Sequence, residues 1–472
     1  MAPSTPGRCR FPSTPAATAA LEHLVRRDYE EHHCVFNVKG KLHNHLNHQL
    51  YASYDLGADA DLLKAIYKHH EQVKEVIPID LKGTGVEDEA ARIAIDEAEP
   101  FEHLGNVAAY AAYLRFFSAQ IEARGVTATI ERYALSDEAN AGDRKFWLRT
   151  AAAGVAHPFI QLGHGLQFES ELVVAEGLAM AAIHGNTRGG YFPDWDRRLE
   201  PGNSGEGKLD IFGLLAELYR NDKLVPPPYD PDLNVNQRYQ KIVDAGHIDE
   251  LVKLCGRFDL DPQGDDAHFA ERIHELMLFA TLMACATTRP GYEPRVDFFL
   301  MHLLTSSIFL PSYVAAFEDS ATKALVIRSW LRIALGLVIE RGKPELHIAH
   351  LMAQLATSSP TQSTRPQPHR RAILASVAEP APWLPVIRSA FHHPDSHQIK
   401  AIRSLVYASQ HMGGLSKGGL RGAERLEAGD QLDGSVFLRA AGVIMASTGW
   451  VGDGEAPKEW DRSCLGYDEA WA

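Results

Sequence analysis

Four short stretches of this 472-residue chain set histidines at helical spacing among apolar neighbours, out of 23 histidines in all. Neutral imidazole binds iron, zinc and copper, and helical folds build such sites from side chains that project inward from facing helices. The first stretch is His43-Asn44-His45-Leu46-Asn47-His48. Read as a helix at about 100° per residue, His45 and His48 lie about 60° apart on one face and His43 points roughly opposite His45. A His-x-x-His pair opening a core helix suits a metal; a buried histidine held by a carbonyl is the plainer alternative. The second stretch carries His157 and His164 in HPFIQLGH. Seven residues make nearly two turns, so the rings share a face but stand about 10 Å apart along the axis. Either one ligates while the other acts on substrate, or both are cap or core histidines.

The third stretch holds His302 in DFFLMHLLTSS. An imidazole in so apolar a run needs a partner, a metal on one reading and a carbonyl or Asp on the other. The neighbouring Asp297 is read as orienting His302 or pairing with Arg295. The fourth is His393-Pro394-Asp395-Ser396-His397-Gln398-Ile399-Lys400. Pro394 places a helix start after His393, with Asp395 or Ser396 as its cap. An ammonium at Lys400, beside Ile399, Ala401 and Ile402, must be paired, neutral or chemically altered if a metal cation is close. Carbamylation by CO2 makes it an anionic oxygen ligand. A salt bridge to Asp297 or Glu176 is the competing account.

To bring these stretches together the chain must be helical almost throughout. Runs of helical period cover 19–33, 42–56, 101–124, 143–156, 159–183, 265–288, 296–317, 321–341, 346–355, 383–390, 396–412 and 434–447. Only 126–133 alternates as a strand does. The predicted fold is all-α, a large single helical body over 19–472 with a metal site between core helices, preceded by a disordered tail over 1–18. Polar insertions at 185–207 and 358–368 read as surface loops, either lids or plain insertions. The apolar run 298–317 is broken by His302, Thr305, Ser306, Ser307 and Pro311, so it is predicted as a core helix and not a membrane span.

Composition narrows the chemistry. A net charge of −14, from 47 basic and 61 acidic side chains, argues against nucleic acid as a partner. The five cysteines include no C-x-x-C pair, which fits a reducing, cytoplasmic setting and neither a disulfide framework nor a zinc knuckle. No strand–glycine loop–helix unit for a dinucleotide is legible and no Walker lysine motif occurs. Any reactive centre must therefore be held by the chain's own side chains.

In order along the chain, HNHLNHQL, HPFIQLGHGLQF, DFFLMHLLTSS and DSHQIKAIR resemble the questin oxidase-like family, over about residues 20–450. The resemblance implies a fungal tailoring enzyme of aromatic polyketide pathways that opens an anthraquinone ring. It implies a metal shell of His45, His157, His302, His397 and Lys400, with His48 and His164 behind it or replacing one member. Two mechanisms attach to such enzymes: non-haem iron dioxygenation, and a flavin-free, NADPH-using Baeyer–Villiger oxidation. The first is favoured because a metal site is legible and a dinucleotide site is not. Fe(II) and O2 then act on a hydroxylated ring whose phenol is deprotonated by His164 or His48. The pocket is predicted to be lined from 159–168 and 298–309. A non-catalytic helical scaffold and a metal-dependent hydrolase are the readings from other classes; oligomeric state is left open.

Overall fold

The computed structural model describes residues 6–9, 11–37, 42–79, 93–192, 207–354 and 381–472. Helices dominate. The one sheet among the described residues is a two-stranded antiparallel pair, β1 (Val35–Asn37) and β2 (Leu42–His43), with Val35 opposite His43.

The first helix, α1 (Pro15–Glu31), begins earlier than its apolar period suggests. Pro15 occupies a position whose N–H has no helical partner anyway, and the Thr14 side chain accepts from the Ala17 N–H. Within the stretch read as a tail, residues 6–9 and 11–14 are described and make contacts. Cys9 is buried and its N–H donates to Asp55, Arg8 pairs with the same carboxylate, and the Gly7 N–H donates to Tyr407.

Next, α2 (Leu46–Asp55) and α3 (Ala60–Val73) pack on α1 around Leu24, Leu50, Leu63 and Tyr67. The α4 helix (Tyr110–Arg124) leads to the tempting strand at 126–133, which is instead helical from Val126–Ile130 into a π turn at Glu131–Leu135. The alternation there loses to packing, since Thr129 and Ile130 are buried side by side.

Helices α5 (Phe146–Gln167) and α6 (Glu171–Ile183) form a tight hairpin, with α4 against α6. The hairpin closes so tightly that a Cβ on Gly177 would meet the Leu162 backbone at 2.6 Å. Beyond them, α7 (Asp266–Cys285), α8 (Phe298–Ser307), α9 (Leu310–Ala316) and α10 (Ser320–Glu340) build the centre. The chain finishes with α11 (Ser396–Met412), which packs on α2, α8 and α12 (Val436–Thr448). One continuous apolar core joins α4 to α12, and a second cluster fills the space among α1, α2 and α3.

By length and composition 298–316 is apolar enough to cross a membrane despite its polar interruptions, yet 78% of that window is buried inside the protein. It is a core segment, kinked between α8 and α9. The insertion at 358–368 lies outside the described residues, as do 193–206 of the other insertion.

Candidate metal centre and its cavity

Each candidate ligand sits at a local feature that fixes its direction. His45 is the residue before α2, not a member of a helix spanning 42–56. Asn44 ends the short strand, accepts from the Leu46 N–H through its side chain, and so starts the helix one residue beyond His45. With His43 in β2, the helical angle between His43 and His45 does not apply, and the His43 ring stacks on His157 at 4.0 Å. His157 follows a break in α5, where Gly154, Val155 and Ala156 all adopt positive φ (54°, 59° and 64°). For a β-branched residue this is strained by about 1–3 kcal/mol. A Cβ at Gly154 would lie 2.6 Å from the His43 ring. Pro158 then restarts the helix without needing a donor partner.

Asp297 caps α8, accepting from the Phe299 and Leu300 N–H groups, and pairs with Arg341 at 2.7 Å. It neither orients His302 nor meets Arg295, which binds Asp461. Asp395 caps α11 and sets His397 in its first turn. His393 is turned away, held by the Thr448 carbonyl.

Folding brings the rings together from four separate segments. The His45–His157 ring centroids are 4.9 Å apart, His45–His397 4.6 Å, His157–His302 5.1 Å and His302–His397 5.1 Å. One ligand atom from each of His45, His157 and His397 falls within 4.8 Å of the others. That is near the roughly 4 Å separating donors on opposite sides of one ion.

The tautomers are dictated locally, because a carbonyl or carboxylate can only accept. His302 Nδ1 donates to the Phe298 carbonyl (2.7 Å), His157 Nδ1 to Gly154, and His397 Nδ1 to the Asp395 carboxylate (2.7 Å). Each Nε2 thus presents a lone pair. Among the described residues, His302 Nε2 and His397 Nε2 are buried with no hydrogen-bond partner, and His157 Nε2 meets only His45 Nε2 at 2.7 Å. Carbonyl- or carboxylate-anchored histidines aiming their other nitrogen at a common space are how proteins orient metal ligands.

Behind this ring stand His48 and His164, stacked at 4.8 Å. Gln161 gives its amide N–H to Glu176 at 2.8 Å, so its oxygen accepts from His48 Nε2 at 2.7 Å and leaves His48 Nδ1 as an unpartnered acceptor. His164 donates from Nδ1 to the Ile160 carbonyl and its Nε2 is likewise unpartnered.

Lys400, one turn after His397, is buried, and its Nζ has no hydrogen-bond partner among the described residues. Asp297 is committed to Arg341, and Glu176 to Asn47 and Gln161, so neither supplies the salt bridge considered for Lys400. Burial brings the Lys400 amine down to about 7, against the attraction of Asp395. Burial first, and Lys400 with it, holds the imidazoles of His45, His48, His157, His164 and His302 well below their ordinary range. Neutral imidazoles are the form that binds metal.

A cavity of about 880 Å³ opens onto this cluster, walled by His45, His157, His397, Phe298, Phe299 and Val155 among others. His48 and His164 do not line it, so the geometry leaves them a place behind the ligands and not against substrate. Nor does 159–168, whose Phe159 packs on Tyr313. Sequence reasoning missed His43, His69, His184 and Arg462, all of which face the cavity. His43 lay inside a recognised motif and was misdirected by the helical assumption. His184, at the C-terminal end of apolar α6, meets His43 at 3.0 Å through its Nε2.

A family model, Questin oxidase-like, matches residues 42–405, from the strand carrying His43 to the helix carrying Lys400. The chain belongs to the questin oxidase-like family. The family match encloses every predicted ligand. The chain is similar to the Baeyer-Villiger oxidase mdpL of Emericella nidulans, with 28% identity over 62% of this chain and 64% of that protein. It is also similar to the questin oxidase of Aspergillus terreus, 24% identical over 100% of this chain and 96% of that one. A third relative is the oxidoreductase AflY of Aspergillus parasiticus, 25% identical over 82% and 71% of the two chains. With mdpL, the shared region is less than two thirds of the relative's length.

Proposed function

We propose that this protein is an O2-dependent oxidoreductase that opens a ring of an anthraquinone-type aromatic polyketide, with one iron held by His45, His157, His302 and His397. The observation that carries this is the buried His157, His302 and His397, each with its Nε2 fixed as an acceptor by a local partner of Nδ1, together with the grouping of His45, His157 and His397 beside a large cavity. Relatives named questin oxidase and Baeyer-Villiger oxidase support the reaction class. Bound Fe(II) supplies the spin-allowed route to dioxygen that side chains lack.

The chain's own residues do the rest. Phe298, Phe299 and Val155 offer apolar walls to a polycyclic ring and displace water from it. Asp395 and the Phe298 carbonyl hold the Nδ1 protons of His397 and His302, keeping the opposite nitrogens free. A phenolic proton passes to an imidazole that lines the cavity, such as His43 or His69, since His48 and His164 have no access to it. Addition of the Lys400 Nζ to CO2, with release of a proton, would give a carbamate oxygen as a further ligand; the buried amine without a hydrogen-bond partner among the described residues supports this. Electron density ending at Nζ in a crystal grown under CO2 removes that last element.

His302→Ala and His397→Ala are expected to lose both iron, measured by inductively coupled plasma mass spectrometry, and turnover. A folded, iron-free variant with full activity overturns the metal reading. The relatives' names also favour a second reading on the same cavity, an NADPH-dependent Baeyer–Villiger oxidation without flavin. One NADPH consumed per ring opened, with no loss of rate when iron is removed, selects it.

A further inference from the structure

The C-terminal residues 460–463 lie outside the family match, yet they are pinned to the start of α8. The Phe298 N–H donates to the Asp461 carbonyl at 2.7 Å and the Asp461 N–H to Val296. Arg295 clamps the Asp461 carboxylate and the Ser463 hydroxyl, while Arg341, itself paired to Asp297, donates to the Arg462 carbonyl. The Arg462 backbone is therefore fixed and its side chain is left over from all of this bonding.

That guanidinium lies 3.7 Å over the Phe298 ring, whose neighbours include His302 at 4.8 Å and His397 at 5.0 Å. It is the one Arg or Lys among the described residues lining the cavity, and it has no carboxylate partner among them. Of the acidic groups facing the same cavity, Asp395 accepts from His397, and Glu75 lies 3.5 Å from His70 without a hydrogen bond to it.

We infer that Arg462 is a specificity-determining anchor, binding an ionised phenol or carboxylate on the aromatic substrate and setting that ring against the histidine cluster. A guanidinium seated over an aromatic face can still offer N–H donors to an oxyanion, and the contact with the ring removes part of the freedom that binding would otherwise take away. The assignment rests on the aromatic-substrate reading above.

The test is equilibrium binding by fluorescence quenching on the full chain. The probes are anthraquinone-2-carboxylate, 1,8-dihydroxyanthraquinone, 2-naphthoate and neutral anthraquinone. Arg462→Gln is expected to weaken the two carboxylates by about tenfold or more and the dihydroxyanthraquinone above its phenol pKa, leaving anthraquinone within about twofold. Arg462→Lys is expected to recover part of the loss. The side chain makes no hydrogen bond among the described residues, so the melting temperature serves as a control. Equal carboxylate affinity in wild type and Arg462→Gln overturns the anchor. Turnover of a hydroxyanthraquinone with unchanged KM in that variant does so too, and leaves the oxygenase reading intact. Arg462-dependent binding of 2-naphthoate by a protein that turns over no anthraquinone keeps the anchor and overturns the substrate assignment.

Discussion

A histidine becomes a ligand through what its other nitrogen does. His302, His157 and His397 each spend one N–H on an acceptor within four residues, so the chain itself commits the remaining nitrogen to a lone pair. Of the three partners only Asp395 is a charged side chain, and it can be changed without touching a backbone. Its carboxyl sits below the ordinary range; burial acts to raise it, and the His397 imidazole with the cap hydrogen bonds outweighs that. Replacing it by Asn keeps an oxygen for the cap and for Nδ1 but removes the charge that, on the metal reading, would make His397 a stronger donor. Asp395→Asn is expected to lower iron affinity about 10–100-fold with a nearly unchanged melting temperature. Competition with a calibrated chelator measures this, and wild-type affinity in the variant means the carboxylate has no hand in metal binding.

Helix ends do the positioning at the next scale up. None of His45, His157, His302 and His397 lies deep in an unbroken helix; they occupy an N-terminal flank, a restart after a break, and two early turns. Early turns are where a side-chain cap fixes both the start and the rotation of the helix. Asp297 carries the greatest weight, since it caps α8 and also neutralises Arg341, which is only 2% exposed. Removing it leaves that guanidinium buried and unpaired, and frees the clamp on the C-terminal segment. Asp297→Ala is expected to cost about 3–5 kcal/mol in urea unfolding, with loss of iron at temperatures where the fold persists. A loss below about 1 kcal/mol shows that the pair and cap are not what holds α8.

Across the whole molecule, buried charges stitch remote parts of the chain to one another. Asp55 takes both Arg8 and Arg403, joining the first residues, α2 and α11. Glu340 takes Arg188 and the Tyr191 hydroxyl, joining the end of α10 to the region after α6. Glu275 is different: burial raises its carboxyl to about 7, with Arg272 only partly opposing. The native state therefore holds a proton there that the unfolded chain releases near pH 4.5. Between about pH 4.5 and 7 this group favours the native state less and less as pH rises, by at most about 1.4 kcal/mol per pH unit. Glu275→Gln, with no proton to lose, is expected to flatten that part of the profile. Urea midpoints taken from pH 4.5 to 8 test it, and parallel profiles for the two proteins count against the assignment.

Sequence alone was enough for the helical class, since apolar periodicity reports which face of each segment must leave water, whatever that face then packs against. It also marked four histidine-bearing stretches as candidates, within which the family resemblance pointed to His45, His157, His302, His397 and Lys400. Local rules misled where a few residues depart from the helix, at the strand Leu42–His43, the positive-φ break Gly154–Ala156 and the early cap at Thr14, whereas the cap at Asp395 and the helix it starts were legible. Only the tertiary structure decided that His48 and His164 stand away from the cavity lined by His45, His157 and His397, that His43 and His184 join its wall, and that Arg462 reaches it from the far end of the chain. Those outcomes depend on contacts between residues more than a hundred positions apart, and periodicity within a window of fifteen carries no record of which distant surface a face will meet.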